Sequence, residues 1–177
     1  MTKKNLLIFI PSIDGWGVEK NFFLITNYLS KNFSNVSLIT SDKSIKKKIS
    51  NKVNLVGPNS NFWRSKSRYS KYFICIIYLV MFLLFNRNTL VFAFQANIYA
   101  ILISKIFGKK VITRSNSSSE GWSKNFIKKF IYKIFLRLAD QVIVNSHDFK
   151  KELDYRFNIN SIVIFNPLNK SEIKKKK

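Results

Sequence analysis

The sequence predicts an α/β fold built on a parallel sheet with helices on both faces, and three observations carry that expectation. Short apolar runs rich in branched residues recur along the chain, each of the length and composition of a strand buried on both faces. Longer stretches with helical spacing separate most of them, as βαβ crossovers require. Glycines and prolines sit mostly at the junctions. With 177 residues, 46% hydrophobic and 23% charged, the chain has enough apolar material for one ordinary core.

The first run, Leu6–Ile10, lies between Lys3-Lys4-Asn5 and Pro11. A cationic start before an apolar stretch imitates an export signal, but the stretch falls short of the roughly 7–15 residues such a signal needs, so it reads as a buried strand. Val18–Leu29 has helical spacing; Val36–Thr40 and Val53–Val56 are the next strands, the second closed by Gly57-Pro58. Tyr69–Phe85 is the next helix. Its stretch Tyr72–Phe85 is uncharged and bounded by Lys71 and Arg87. That is shorter than the ~20 residues of an untilted membrane span, so it reads as a core helix in preference to a re-entrant or interfacial segment, with Cys75 as a packing residue. Thr89–Phe92 is a strand, Ile98–Phe107 a helix ended by Gly108, and Lys110–Thr113 a strand. Ser123–Leu138 reads as a helix, Gln141–Val144 as a strand, Asp148–Phe157 as a helix, and Ile162–Phe165 as a last strand before Asn166-Pro167. The run Lys174–Lys177 reads as a solvated tail.

Thirty-one Lys and Arg against nine Asp and Glu give a formal charge of +22, which draws the chain toward phosphates, nucleic acid or acidic lipid. Abundant Lys, Asn and Ile beside scarce Ala also suit an AT-rich coding sequence, which makes lysine in part a default surface residue. A single cysteine, Cys75, excludes an internal disulfide framework and a Cys-based zinc site, and fits a reducing cytoplasm. His147 is the only histidine and has no partner at metal-ligand spacing; it reads as a surface helix residue. No metal site, no Ser-His-Asp arrangement and no acid/base pair of carboxylates can be argued from spacing.

In an open parallel sheet ligands bind beyond the carboxyl ends of the strands, so the loops leaving each strand are the places to look. Ser12–Lys20 runs from the first strand into a helix with Gly15 and Gly17 where the backbone turns, an arrangement that aims first-turn N–H groups at an anion or simply makes a tight turn. A dinucleotide fingerprint wants a third glycine where this chain has Lys20, which disfavours hydride chemistry. Asp42 sits where a ribose-binding acid is found and where a turn cap is equally at home. Glu19 suits the positive end of a helix.

These residues bring a resemblance into view. Ile10-Pro11-Ser12-Ile13-Asp14-Gly15-Trp16-Gly17-Val18-Glu19-Lys20, with Phe23–Leu29 and Val36–Thr40, resembles the opening of glycosyltransferase family 4: a strand, a "GGxE(R/K)" loop, a helix, and a strand ending in "LIT". Leu138-Ala139-Asp140-Gln141-Val142-Ile143-Val144-Asn145-Ser146, then Phe149–Leu153 and Ile164-Phe165-Asn166-Pro167-Leu168, is similar to the "ADxVIxxS…KxxL…xIxNPI/L" run that closes that family's N-terminal domain. The matches keep their order and separation over nearly the whole chain. The resemblance implies a Rossmann-like single lobe of a GT-B enzyme over residues 1–168, with 169–177 a lysine-rich tail at the interdomain linker. It also implies that the C-terminal donor-binding domain, which holds two glutamates about eight residues apart, is missing from a truncated product.

Carried over residue by residue, the resemblance makes Gly15, Trp16 and Gly17 the loop that approaches the donor diphosphate, with Trp16 replacing a usually small residue. Where several relatives carry a histidine near the acceptor hydroxyl, this chain has Phe94-Gln95-Ala96-Asn97, which points to Gln95 and Asn97 as neutral groups for sugar hydroxyls; Asn97 has a helix cap as its alternative. Arg114 and Asn116 open a polar loop that implies acceptor contacts, the arginine as a cation facing the cleft. The same loop fits a capping box from Ser117 to Glu120. Asn145 and Ser146 leave the sixth strand as sugar or phosphate contacts, or as the N-cap of the next helix. No cofactor and no metal are implied, the nucleotide-sugar being a substrate.

Phe62, Trp63, Arg64, Lys66 and Arg68 interleave rings with cations, a mixture suited to single-stranded nucleic acid or to an anionic membrane surface. On Ser123–Leu138 the apolar residues Phe126, Ile127, Phe130, Ile131, Ile134 and Leu138 share a stripe, and that stripe is expected to be core. The whole enzyme implied by the resemblance moves a sugar from a nucleotide-sugar to a lipid-linked or saccharide acceptor with retention of configuration. Its expected setting is bacterial surface polysaccharide or lipopolysaccharide synthesis at the inner face of the cell membrane, and the isolated chain is expected to be inactive. The alternative is a basic nucleic-acid-binding α/β protein, against which stands the lack of a recognition-helix, RNP, KH or zinc-finger signature.

Overall fold

In the computed structural model the described residues are 5–13, 18–58, 61–115 and 126–167. They form strands β1 (Asn5–Phe9), β2 (Asn35–Ile39), β3 (Val53–Val56), β4 (Thr89–Ala93), β5 (Lys110–Ser115), β6 (Gln141–Val144) and β7 (Ser161–Val163), with helices α1 (Val18–Asn32), α2 (Arg68–Phe85), α3 (Asn97–Ile106), α4 (Phe126–Leu138) and α5 (His147–Phe157) between them. The strands make one seven-stranded sheet in the order β3-β2-β1-β4-β5-β6-β7, all parallel. The expected strand and helix alternation is present throughout. Two 3-10 turns, Lys43–Lys48 and Asn61–Ser65, lie in stretches without apolar periodicity and were not expected.

The two-residue period of a strand sorts the core into two layers. Leu6, Ile8 and Ile10, with Val36 and Leu38 beside them on β2, face Phe22 of α1. Leu7 and Phe9 face the other way, toward Cys75 and Leu79 of α2, with Val91 and Ala93 beside them. Helix α1 and the first 3-10 turn therefore cover one face, and α2 to α5 the other, which is why all the central strands read as unbroken apolar runs.

Local chemistry sets the boundaries. Ser67 caps α2, its hydroxyl accepting from Ser70 N–H at 3.3 Å. Gly108, at φ +62°, turns the chain out of α3 while Lys109 N–H reaches Ser104 C=O at 2.7 Å. Gly57 is at φ +154°, and a Cβ there would sit 2.3 Å from the Thr40 carbonyl oxygen, so no side chain fits. Strand β7 is shorter and begins earlier than Ile162–Phe165. Its ladder gains one more bond, Ile164 N–H to Val144 C=O at 2.9 Å, before the chain leaves the sheet, and as an edge strand it exposes Ile162 and Ile164.

Two helices differ from their expected burial. Helix α2 is long and apolar enough to cross a membrane by length and composition, yet one stripe, Lys71, Cys75, Leu79 and Leu83, packs on the sheet. Its opposite stripe, Tyr69, Phe73, Ile77, Met81, Leu84 and Phe85, is exposed. Helix α4 reverses the expectation outright. Ile127, Phe130, Ile131, Ile134 and Leu138 face solvent, and Leu136 alone of its described side chains is fully buried. Helix α4 lies against α3, whose own outer residues Tyr99, Leu102 and Ile106 are exposed, so neighbouring helices of this layer both turn apolar side chains outward.

Candidate functional site at the carboxyl edge of the sheet

Strand β1 pairs with β2 on one side and β4 on the other, so the crossovers leave in opposite directions and a crevice opens beyond the carboxyl ends of β1 and β4. The loops on either side of it are tied together. Gln95 Oε1 accepts from Ser12 N–H at 3.2 Å, and Ser41 donates to Pro11 C=O through both its N–H, at 3.2 Å, and its hydroxyl, at 2.6 Å. Gln95 thus sits at the crevice, half-buried, with one amide function spent on holding the two loops in register.

The next residue, Ala96, adopts φ +52° and ψ +38°, a left-handed conformation unusual for a residue with a Cβ. It starts α3 without a side-chain cap, so the expected alternative for Asn97 as a cap is not realised. Instead Asn97 Nδ2 donates to Arg114 C=O at 3.3 Å, joining the start of α3 to the end of β5. Asn97 Oδ1 is buried with no hydrogen-bond partner among the described residues.

Arg114 is placed differently from the cleft-facing cation expected of it. The residue is 1% exposed, and its Nη2 donates to Ile164 C=O and Asn166 Oδ1, both at 3.0 Å. Burial pulls its pKa below the usual arginine value, though a guanidinium stays charged at neutral pH. Arg114 therefore fastens the segment after β7 across the carboxyl edge. Sequence reasoning missed this partnership; the Asn166-Pro167 step just past the last strand was its available signal.

Asn145 is half-buried at the end of β6, and Ser146 is the N-cap of α5, its hydroxyl accepting from Phe149 N–H at 3.2 Å. Asp42 likewise takes its capping alternative, accepting from Ser44 N–H at 2.9 Å. His147 is exposed and meets the Phe165 ring edge-to-face at 5.5 Å. Gly15, Trp16, Gly17 and Asn116 lie outside the described residues.

The basic aromatic segment stands apart from the crevice strands, on the second 3-10 turn and the first turn of α2. Phe62 and Trp63 pack edge-to-face at 5.6 Å, Lys66 Nζ lies 3.9 Å from the Phe62 ring centroid, and Arg68 Nε donates to Tyr72 Oη at 2.8 Å. The Arg64 side chain lies outside the described residues.

No family model matches the chain, and neither does any curated protein. Solved structures do. HepE of Anabaena, in complex with UDP and glucose, superposes with a TM-score of 0.66 at 15% identity over 98% of this chain and 49% of its own. A glycosyltransferase from Rickettsia africae gives 0.58 at 19% identity over 99% of this chain and 49% of its own. UGT2 of Phytolacca americana, complexed with UDP-2fluoro-glucose and pterostilbene, gives 0.59 at 9% identity over 99% and 57%. The chain thus spans about half the length of the structures it matches. At these identities the likeness concerns the fold: a Rossmann-like parallel sheet that matches one lobe of the GT-B glycosyltransferases.

Proposed function

We propose that the chain is the acceptor-side lobe of a family 4-like, retaining glycosyltransferase that moves a sugar from a nucleotide-sugar to a lipid-linked or saccharide acceptor. The observation that carries the reading is the crevice at the sheet's change of direction, bordered by Gln95 and Asn97, in a lobe whose fold matches proteins solved with UDP and glucose. Gly15, Trp16 and Gly17, which follow β1 in sequence, are assigned to the donor diphosphate, backbone amides there serving to stabilise charge on the departing nucleotide. Gln95 and Asn97 are the neutral groups assigned to sugar hydroxyls, Gln95 through the amide function that its bridge to Ser12 leaves over. Arg114 acts by positioning, through Asn97 on its carbonyl and Asn166 on its guanidinium. Asn145 and Ser146 extend the acceptor side at the end of β6, and Asn116 is assigned an acceptor contact by its match to the family pattern. A second lobe grips the activated sugar in the complete enzyme, so this lobe alone turns over no sugar, and neither metal nor cofactor takes part.

The setting that fits is surface polysaccharide or lipopolysaccharide assembly in bacteria, at the cytoplasmic face of the membrane, with Phe62, Trp63, Arg64, Lys66 and Arg68 meeting anionic headgroups. Saturation-transfer NMR of the purified chain with UDP-glucose tests the reading. Weak contact to the diphosphate end is expected, lost in a Gly17→Val variant. Absence of any nucleotide-sugar contact beside tight, salt-sensitive RNA binding overturns it.

A further inference from the structure

We infer that the joined outer face of α2, α3 and α4 is the surface on which this chain seats itself on an anionic lipid bilayer. Each helix presents an exposed apolar row at helical spacing: Phe73, Ile77 and Met81 on α2, Leu102 on α3, Ile131 and Ile134 on α4. The three helices lie side by side, α3 touching both others, so the rows stand on one outer layer. The orientation of α4 is the sharpest sign. Among its described side chains the half-buried ones are Lys129, Tyr132, Lys133 and Phe135, so two lysine stems lie toward the body while Ile127, Phe130, Ile131, Ile134 and Leu138 lie outward. An isolated lobe gains nothing from that choice, since ordinary helices bury this stripe.

Charge selects the occupant. Between Asp42 and Asp140 the sequence contains one acid, Glu120, so α2, α3 and α4 carry none. Lys66 and Arg68 stand at the carboxyl edge of the patch and Arg87 beyond the far end of α2, all exposed. A second copy would bring +22 against +22. Nucleic acid satisfies the cations but leaves the aliphatic rows wet. An anionic bilayer takes both, acyl chains against the rows and headgroups against the rim. The seat differs from the loop at Phe62–Arg68, which only borders it. Because α2, α3 and α4 all begin at the carboxyl edge, the same seating holds the crevice beside the headgroup layer, where a lipid-linked acceptor is presented.

The inference rests on the membrane partner of the proposed function, but its test needs no sugar donor, so the two fail separately. The full chain is floated with vesicles of phosphatidylglycerol and phosphatidylcholine, and with phosphatidylcholine alone. Binding to the anionic vesicles is expected to exceed that to the neutral ones by at least about tenfold, and to fall by at least about tenfold in a variant carrying Ile77→Ser and Ile134→Ser. Tyr155→Ser, on the exposed face of α5, leaves it unchanged. Binding retained by the double variant, or lost equally in Tyr155→Ser, overturns the inference. So does sedimentation showing a dimer that the double variant dissociates. Should the double variant fail to fold, an environment-sensitive dye on Met81→Cys gives the same answer: its emission shifts blue on anionic vesicles, and no shift overturns the inference. Buried Cys75, its thiol pushed up to about 12 by burial, stays unlabelled.

Discussion

Helices α4 and α5 follow adjacent strands, lie on the same face of one sheet, and are both amphipathic, yet they are laid down opposite ways. Helix α5 buries Phe149, Leu153 and Phe157, its i, i+4, i+8 stripe, and shows water a charged side on which Lys150 meets Asp154 at 2.6 Å and Arg156 meets Glu152 at 3.3 Å. Helix α4 buries Leu136 and shows water its apolar stripe. Periodicity therefore locates a helix and its two sides but does not say which side is the inside. That depends on what else the surface must meet, and here the acid-free helix is the one turned outward.

Substitutions that treat the two helices alike should give unlike results. Leu153→Ala, emptying a fully buried site on α5, is expected to cost about 3 kcal/mol by chemical denaturation. Ile134→Ala occupies the equivalent hydrophobic position on α4 and should stay within about 0.5 kcal/mol. A cost above about 2 kcal/mol there would mean that the stripe packs inward after all.

The next effect is electrostatic. Burial acts to raise the Asp154 pKa, but the Lys150 ammonium and the N–H and O–H of Ser161, at 3.2 and 3.1 Å, outweigh it and hold the carboxyl below the usual 3.8. A depressed carboxylate stabilises the fold in full above its unfolded pKa, about 3.9, and that contribution is lost as pH falls through the lower folded value. Acid melts should thus show stability declining below about pH 4. Asp154→Asn should cost roughly 1.5 kcal/mol at pH 7 and flatten that decline; an unchanged acid limb would remove Asp154 from the account. Ser146→Ala removes the cap of α5 and should cost about 1 kcal/mol, with the loss of helicity confined to α5 by amide exchange. The smallest effect belongs to Glu152→Gln, an i, i+4 pair worth roughly 0.3–0.5 kcal/mol at low salt and less in high salt.

The strands and helices were legible because each is coded locally: branched runs such as Val53–Val56, helical spacing in Val18–Leu29, a glycine at position 108. The capping roles of Asp42 and Ser146 were legible as alternatives, because a short polar side chain before a helix has few other local partners. What escaped depends on residues far apart in the chain. Arg114 looks like a free cation until Asn166, brought beside it by β7, accepts its proton donors. Ala96 carries no mark of its left-handed backbone, which falls between the Gln95 bridge to Ser12 and the start of α3. The 3-10 turns have no period long enough to register.

The position of β1 has a consequence for how the protein is made. Strand β1 lies inside the sheet, third of seven, and is made before both of its neighbours: its register partners are Asn35–Ile39 on one side and Thr89–Ala93 on the other. One edge of an almost wholly buried, uncharged segment therefore waits, unpaired, until Ala93 has emerged, and all of α2 is synthesised in the interval. Long-range pairing of this kind is slow to form and leaves sticky surface open while it does. The nascent chain should depend on chaperone cover until β4 docks.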